Sequence, residues 1–136
     1  MGLFSGIKNT YKKSEAAVVI WNLLEHQANV GLFNQDPAKL ANKLVENVWE
    51  SKPDIFGGKF GQRPHKLAVA AFALANGIEL FHDGDLNRRA IILSLGYILS
   101  ELETNGRLYP FNSLDHVLLE SSMSIFTNIA DELMEW

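Results

Sequence analysis

The sequence predicts an all-α fold: a single-domain bundle of about five helices around a central antiparallel helix hairpin, residues 64–104. Three observations lead to this fold class. Apolar residues recur at helical spacing through most of the chain, N-cap residues or proline stand where these stretches begin, and most connections between them are short. The 136 residues, of which 47% are hydrophobic, have the size and composition of one ordinary domain with its own core.

The first thirteen residues have the pattern of a short amphipathic helix. Leu3, Phe4, Ile7 and Tyr11 share one face, and lysines occupy the other. Such a face either docks on its own bundle, which is the interpretation we favour, or lies on a membrane surface.

Two further helices are predicted in the first half of the chain. Residues 14–30 form one, with Ser14 as its N-cap. Residues 37–51 form the other, with Asp36 as N-cap and Pro37 in the first helical position. The expected buried faces are Ala17, Ile20, Trp21, Leu24 and Ala28 in the first helix, and Leu40, Ala41, Leu44, Val45, Val48 and Trp49 in the second.

The second half supplies the hairpin and the last helix. Residues 64–81 contain an apolar run whose length and alanine content favour a helix buried on most sides over a strand. Asp85 is the expected N-cap of the next helix, residues 86–104, and the short link between the two predicts antiparallel packing. Ser113 is the expected N-cap of the last helix, residues 114–134.

The long irregular stretch of the sequence, residues 53–63, is rich in glycine and precedes a helix start. The overlapping segment 57–66 combines free backbone N–H groups with basic side chains, which are the components of an anion site. The candidate ligands for an anion such as phosphate are Lys59, Arg63, His65 and Lys66. A solvated surface loop is the alternative interpretation.

No motif for catalysis, a metal or a cofactor is recognisable in the sequence. Cysteine is absent, which excludes disulfides and cysteine-ligated zinc. His26, His65, His82 and His116 contain no pair at the i, i+4 spacing of a helical zinc site. Residues 83–94 open like a calcium loop but lack its glycine and its final glutamate. We therefore expect no metal and no cofactor, and we assign no catalytic residue.

Charge is distributed unevenly along the chain, whose net charge is −4. Residues 1–13 carry Lys8, Lys12 and Lys13 and no acid, whereas no lysine or arginine follows Arg107. An acidic protein with short basic patches is not expected to bind nucleic acid. The asymmetry favours docking to a protein partner or to a second copy of the chain.

The hypothesis that these observations favour is a non-enzymatic protein-interaction module that forms homo-oligomers. Two alternatives stay open: a peripheral membrane-associated protein that uses residues 1–13, and an anion-binding or small-ligand-binding domain that uses residues 57–66. The sequence shows neither a secretory signal nor an apolar run of spanning length, so a cytoplasmic location is the default expectation.

Overall fold

The all-α prediction is confirmed by the computed structural model, which describes residues 2–52 and 63–134, with side chains for 14–52 and 63–133. Within this part of the chain, every regular element is helical. The elements are α1 (Gly2–Asn29), α2 (Pro37–Ser51), α3 (Lys66–Gly77), α4 (Leu86–Asn105), α5 (Ser113–Ile129) and the short α6 (Asp131–Met134), with 3₁₀ turns at Ile78–Leu80 and Gly106–Leu108.

Helix α3 is the central element of the bundle. It packs against α1, α2, α4 and α5, and every residue from 68 to 75 is buried. Alanine at five of these positions lets the neighbouring helices approach closely. At the end of α3 a Cβ on Gly77 would overlap the Leu44 side chain of α2, so glycine at this position leaves room for Leu44.

Helix α2 forms as the sequence predicts. The Asp36 side chain accepts hydrogen bonds from the backbone N–H groups of Ala38 and Lys39, at 3.0 and 3.4 Å. Pro37 occupies the first helical position, where its missing N–H costs nothing. The expected apolar face is buried, with Trp49 half-buried at its edge.

Helix α1 differs from the prediction in its start and in its face. It continues from Gly2 to Asn29 without interruption, so Ser14 lies inside a helix and is not an N-cap. The buried face contains Ala16, Ile20 and Leu24, and Trp21 lies at its edge with 42% of its surface exposed. The prediction was wrong because a serine marks the start of a helix only weakly when the sequence on both sides of it is helical.

The start of α5 also differs. Ser113 is the first helical residue and Asn112 is the N-cap. Asn112 Oδ1 accepts from the Asp115 N–H at 2.9 Å, and Asp115 Oδ2 accepts from the Asn112 N–H at 3.0 Å. This reciprocal capping box satisfies two N–H groups that the helix cannot satisfy itself.

A buried arginine joins the start of α4 to α6. Asp85 caps α4 as predicted, accepting from the Asn87 N–H at 2.7 Å. Arg88, one turn into the helix, forms ion pairs with Asp83 at 3.0 Å and with Glu132 at 2.8 Å. The residue that breaks the calcium-loop pattern is thus a structural cross-link.

Candidate functional site

An apolar groove lies between the C-terminal half of α4 and the N-terminal half of α5. Its volume is about 590 Å³. The two helices are close at Gly96, where a Cβ would lie 2.9 Å from two ring atoms of Phe126, and the groove occupies the space toward the connection between them. Its lining consists of Leu99, Leu102, Glu103 and Gly106 from the α4 side, Arg107, Tyr109 and Phe111 from the connection, and His116, Leu119 and Met123 from α5.

Aromatic rings from the α4–α5 connection line part of this groove. The rings of Tyr109 and Phe111 lie 5.6 Å apart, and both meet the His65 ring in edge-to-face contacts at 5.5 and 5.1 Å. His116 approaches Phe111 at 6.2 Å. Edge-to-face packing is the favoured geometry for such rings, so these contacts hold the rings of the connection in place.

Tyr109 is further fixed by its hydroxyl group, which donates to Glu101 Oε1 at 3.1 Å. This hydrogen bond to the carboxylate raises the pKa of Tyr109, with lesser contributions from burial and from the charge of Glu101. The phenol is therefore held as a donor that anchors the ring to α4.

Exposed apolar side chains occur in the groove lining and next to a lining residue in the sequence. Met123 lines it and is 43% exposed. Leu108, which precedes the lining residue Tyr109, is 79% exposed. Exposed apolar surface that adjoins an apolar groove is typical of a binding site. The groove also carries charge on its edges, with Glu103 on the α4 side and Arg107 at the connection.

A buried carboxylate lies immediately behind the groove. Asp115 is 1% exposed, and besides its bond to Asn112 it accepts from the His65 N–H through Oδ1 at 2.7 Å. Asn112 Nδ2 donates to the Arg63 carbonyl at 2.8 Å. One carboxylate thus caps the starts of both α3 and α5, where the helix dipoles favour negative charge, and we call this arrangement the Asp115 clasp.

His65 has a structural role in this arrangement. Its Nδ1 accepts from the Leu67 N–H at 3.1 Å, which makes it the N-cap of α3. Burial lowers the pKa of His65 below its usual value of 6.5; the Lys66 charge acts in the same direction, and Asp115 and Glu15 oppose it. The imidazole is therefore held neutral, with Nδ1 as the acceptor.

The structure brings three of the four predicted anion ligands together. Arg63, His65 and Lys66 line a second pocket of about 370 Å³. Glu15 and Asp115 line it too, and an anion would have to bind beside these carboxyl groups. Lys59 lies outside the described residues. The anion site stays a prediction.

The predicted membrane or docking face is placed only in part. Leu3, Phe4, Ile7 and Tyr11 belong to α1, but their side chains lie outside the described residues. No helix among the described residues is long and apolar enough to cross a membrane. Residues 2–52 and 63–134 contain no group of three or more His, Asp or Glu side chains that could hold a metal ion.

The groove and the Asp115 clasp are the features that sequence reasoning missed. The clasp had a readable signal, because Asn112 and Asp115 stand at the spacing of a capping box. The groove had a weaker sequence signal, which is the presence of apolar residues in the connection: Leu108, Tyr109 and Phe111. Comparison with protein-family models, with curated proteins and with solved structures found no match for this chain, so a functional assignment has to come from these surfaces.

Proposed function

We propose that this protein is a helical interaction module whose α4–α5 groove receives the apolar face of an amphipathic helix from a protein partner. The observation that supports the proposal is the groove itself: an apolar channel of about 590 Å³ whose lining includes the exposed side chain of Met123. Well-formed ligand pockets have volumes of about 300–1,000 Å³. Helix-in-groove binding is a common mode of peptide recognition, in which side chains at i, i+3, i+4 and i+7 serve as anchors.

The chemistry of the groove fits such a guest. Leu99 and Leu102 form one wall and Leu119 and Met123 the other, so apolar anchors would lose contact with water on both sides. Glu103 and Arg107 at the edges can pair with charged residues that flank the anchors. Because Tyr109 and Phe111 are held by contacts with His65, these side chains need little ordering on binding, which favours affinity.

A test uses a synthetic helical peptide with leucine and lysine on opposite faces. Titrated into the labelled protein, it should shift the amide NMR signals of the groove residues and leave those of α2 unchanged. Met123→Lys should weaken binding at least about tenfold, since it places a charge on the apolar wall. Its matched control is Val117→Lys on the same helix, because Val117 is 60% exposed and does not line the groove.

Two results would contradict the proposal. One is an absence of shifts at saturating peptide. The other is equal weakening by the two lysine variants, since that would mean that the peptide responds to net charge and not to the groove.

The second pocket supports a second candidate function, the binding of a phosphate or a phosphorylated ligand. Its supporting observation is that Arg63, His65 and Lys66 line one cavity at the start of α3. Phosphate should then raise the melting temperature more than chloride of equal ionic strength does. Arg63→Ala should remove most of that difference, because guanidinium is a strong oxyanion partner, whereas Lys39→Ala on exposed α2 surface should not. Equal shifts from the two salts would exclude this candidate.

A further inference from the structure

We propose that the helix bound in the groove is the N-terminal part of α1 from a second copy of this chain, so that two copies exchange these segments. We call residues 2–13 the arm. This inference rests on the proposed function, because it names the partner of the same groove.

The first step concerns where the arm lies relative to the bundle. Glu15 lines a pocket with His65 and Asp115, which places this point of α1 beside the starts of α3 and α5. Ala16, Ile20 and Leu24 are buried in the core on the C-terminal side of Glu15. Since α1 is continuous, the arm extends in the opposite direction for roughly 18 Å at about 1.5 Å per residue.

The second step concerns the position of the groove. Tyr109 and Phe111 line the groove and also pack on His65, at the start of α3. Pro110 between them lines the same pocket as Glu15. The base of the arm and the aromatic lining of the groove therefore lie at the same end of the bundle. Two copies that meet at this end through a two-fold axis can each place an arm in the other's groove, which gives a closed, self-complementary dimer.

The third step is complementarity of charge and polarity. The arm carries three lysines and no acid, with its apolar residues on one helical face by sequence. The α5 side of the groove has neither lysine nor arginine, because none follows Arg107. Glu120, one turn after the lining residue His116, is exposed beside the groove, and Glu103 lines the α4 side. The basic face of the arm can thus pair with Glu103 in the groove lining and with Glu120 one turn after His116, while Arg107 at the connection opposes it.

Sedimentation velocity of the full chain tests the exchange. At concentrations of tens to hundreds of micromolar, on the order of a weak dimer's dissociation constant, the wild type should sediment as a dimer of the 15.2 kDa chain. Ile7→Asp in the arm and Met123→Lys in the groove should each weaken the dimer at least about tenfold. Asn9→Asp, on the opposite face of the arm by sequence, and Val117→Lys, outside the groove, are the matched controls and should leave the dimer unchanged.

A charge exchange identifies the pairing directly. The double variants Lys8→Glu with Lys12→Glu and Glu103→Lys with Glu120→Lys should each self-associate poorly. Mixed together, they should form a heterodimer, because the reversed arm then meets the reversed groove and the wild-type arm meets the wild-type groove. In the control mixture, the groove variant is replaced with Glu25→Lys plus Glu79→Lys. This variant has the same net charge, with its substitutions at exposed positions outside the groove. It should form no heterodimer with the reversed-arm variant.

Several outcomes would overturn the exchange. The wild type could be monomeric at all concentrations, or Ile7→Asp could leave the dimer intact. The third such outcome is that the two charge-reversed double variants form no heterodimer when mixed. If Ile7→Asp keeps the dimer but loses binding to phosphatidylserine-containing vesicles, the arm binds a membrane surface instead. If the wild type is monomeric but its groove still binds the leucine–lysine peptide, the exchange is refuted and the proposed function stands; if the peptide also fails to bind, both are refuted.

Discussion

Replacing Asp115 with asparagine tests whether one buried carboxylate joins the starts of two helices. Asp115 accepts the His65 N–H through one oxygen at 2.7 Å and the Asn112 N–H through the other at 3.0 Å. Asparagine has the same shape but only one acceptor, so its amide group would point a donor at a backbone donor. The substitution therefore removes one hydrogen bond, leaves one N–H without a partner and makes the remaining bond a neutral one.

The expected cost follows from these changes. A hydrogen bond to a charged group contributes about 1.5–3 kcal/mol, and an unsatisfied buried donor costs about 1–3 kcal/mol. With partial relaxation, we expect the free energy of unfolding to fall by about 2–4 kcal/mol. A chain of this length has an unfolding entropy near 290 cal/mol/K at about 2.1 cal/mol/K per residue. The melting temperature should therefore fall by about 7–14 °C.

Thermal melts and urea titrations followed by circular dichroism at 222 nm measure this effect. The control is Asp36→Asn, since Asp36 caps α2 through a single oxygen and asparagine is an equally good N-cap. It should change the melting temperature by no more than about 2 °C, which corresponds to roughly 0.5 kcal/mol. If the two variants melt alike, Asp115 does not stabilise the two helix starts in the way we describe.

Two other substitutions test close packing and the role of a neutral histidine. Gly77→Ala should lower the free energy of unfolding by about 1–3 kcal/mol because its Cβ would overlap buried Leu44. The control is Gly106→Ala, which faces open space and should stay within about 1 kcal/mol of the wild type. Similar urea midpoints for the two variants would contradict the close approach of α2 and α3. Because burial lowers the pKa of His65, its contribution to stability is present above pH 6.5 and is lost as the pH falls from 6.5 toward the lower folded-state pKa. His65→Asn keeps a capping acceptor, and its free energy of unfolding should depend less on pH between about pH 7 and 5 than that of the wild type. The control His82→Asn, at an exposed position, should keep the pH dependence of the wild type. If His65→Asn also keeps it, His65 is not the titrating group.

Local signals were sufficient to predict the fold class and several helices. In α2 the N-cap, the proline and the apolar period all agree, and the helix forms as expected. In α3 the alanine-rich run predicted burial on most sides, and the structure confirms it. Agreement among independent local signals is what makes such segments predictable.

Predictions failed where a local signal competed with a longer-range one. Ser14 resembles a cap, but the residues on both sides of it continue one helix. Trp21 fits the apolar period of α1, yet the contacts with α2 and α3 leave it at the edge of the buried face. At α5, Asn112 and Ser113 are both good caps, and Asp115 decides between them because it completes a capping box with Asn112. The further contact of Asp115 with the His65 N–H joins residues fifty positions apart, and sequence periodicity contains no information about it.

The groove could not be predicted because its shape depends on how α4 and α5 are held apart. At one end Gly96 allows the two helices to touch through Phe126. At the other end the Asp115 clasp fixes the start of α5 to α3, and the aromatic residues of the connection pack on His65 instead of filling the space. The contacts that position α4 and α5 therefore include ones made outside the groove. A guest helix need not break these contacts in order to bind. This preorganisation is a physical reason to assign binding to the α4–α5 surface, and it implies that weakening the Asp115 clasp should also weaken the binding of a guest helix.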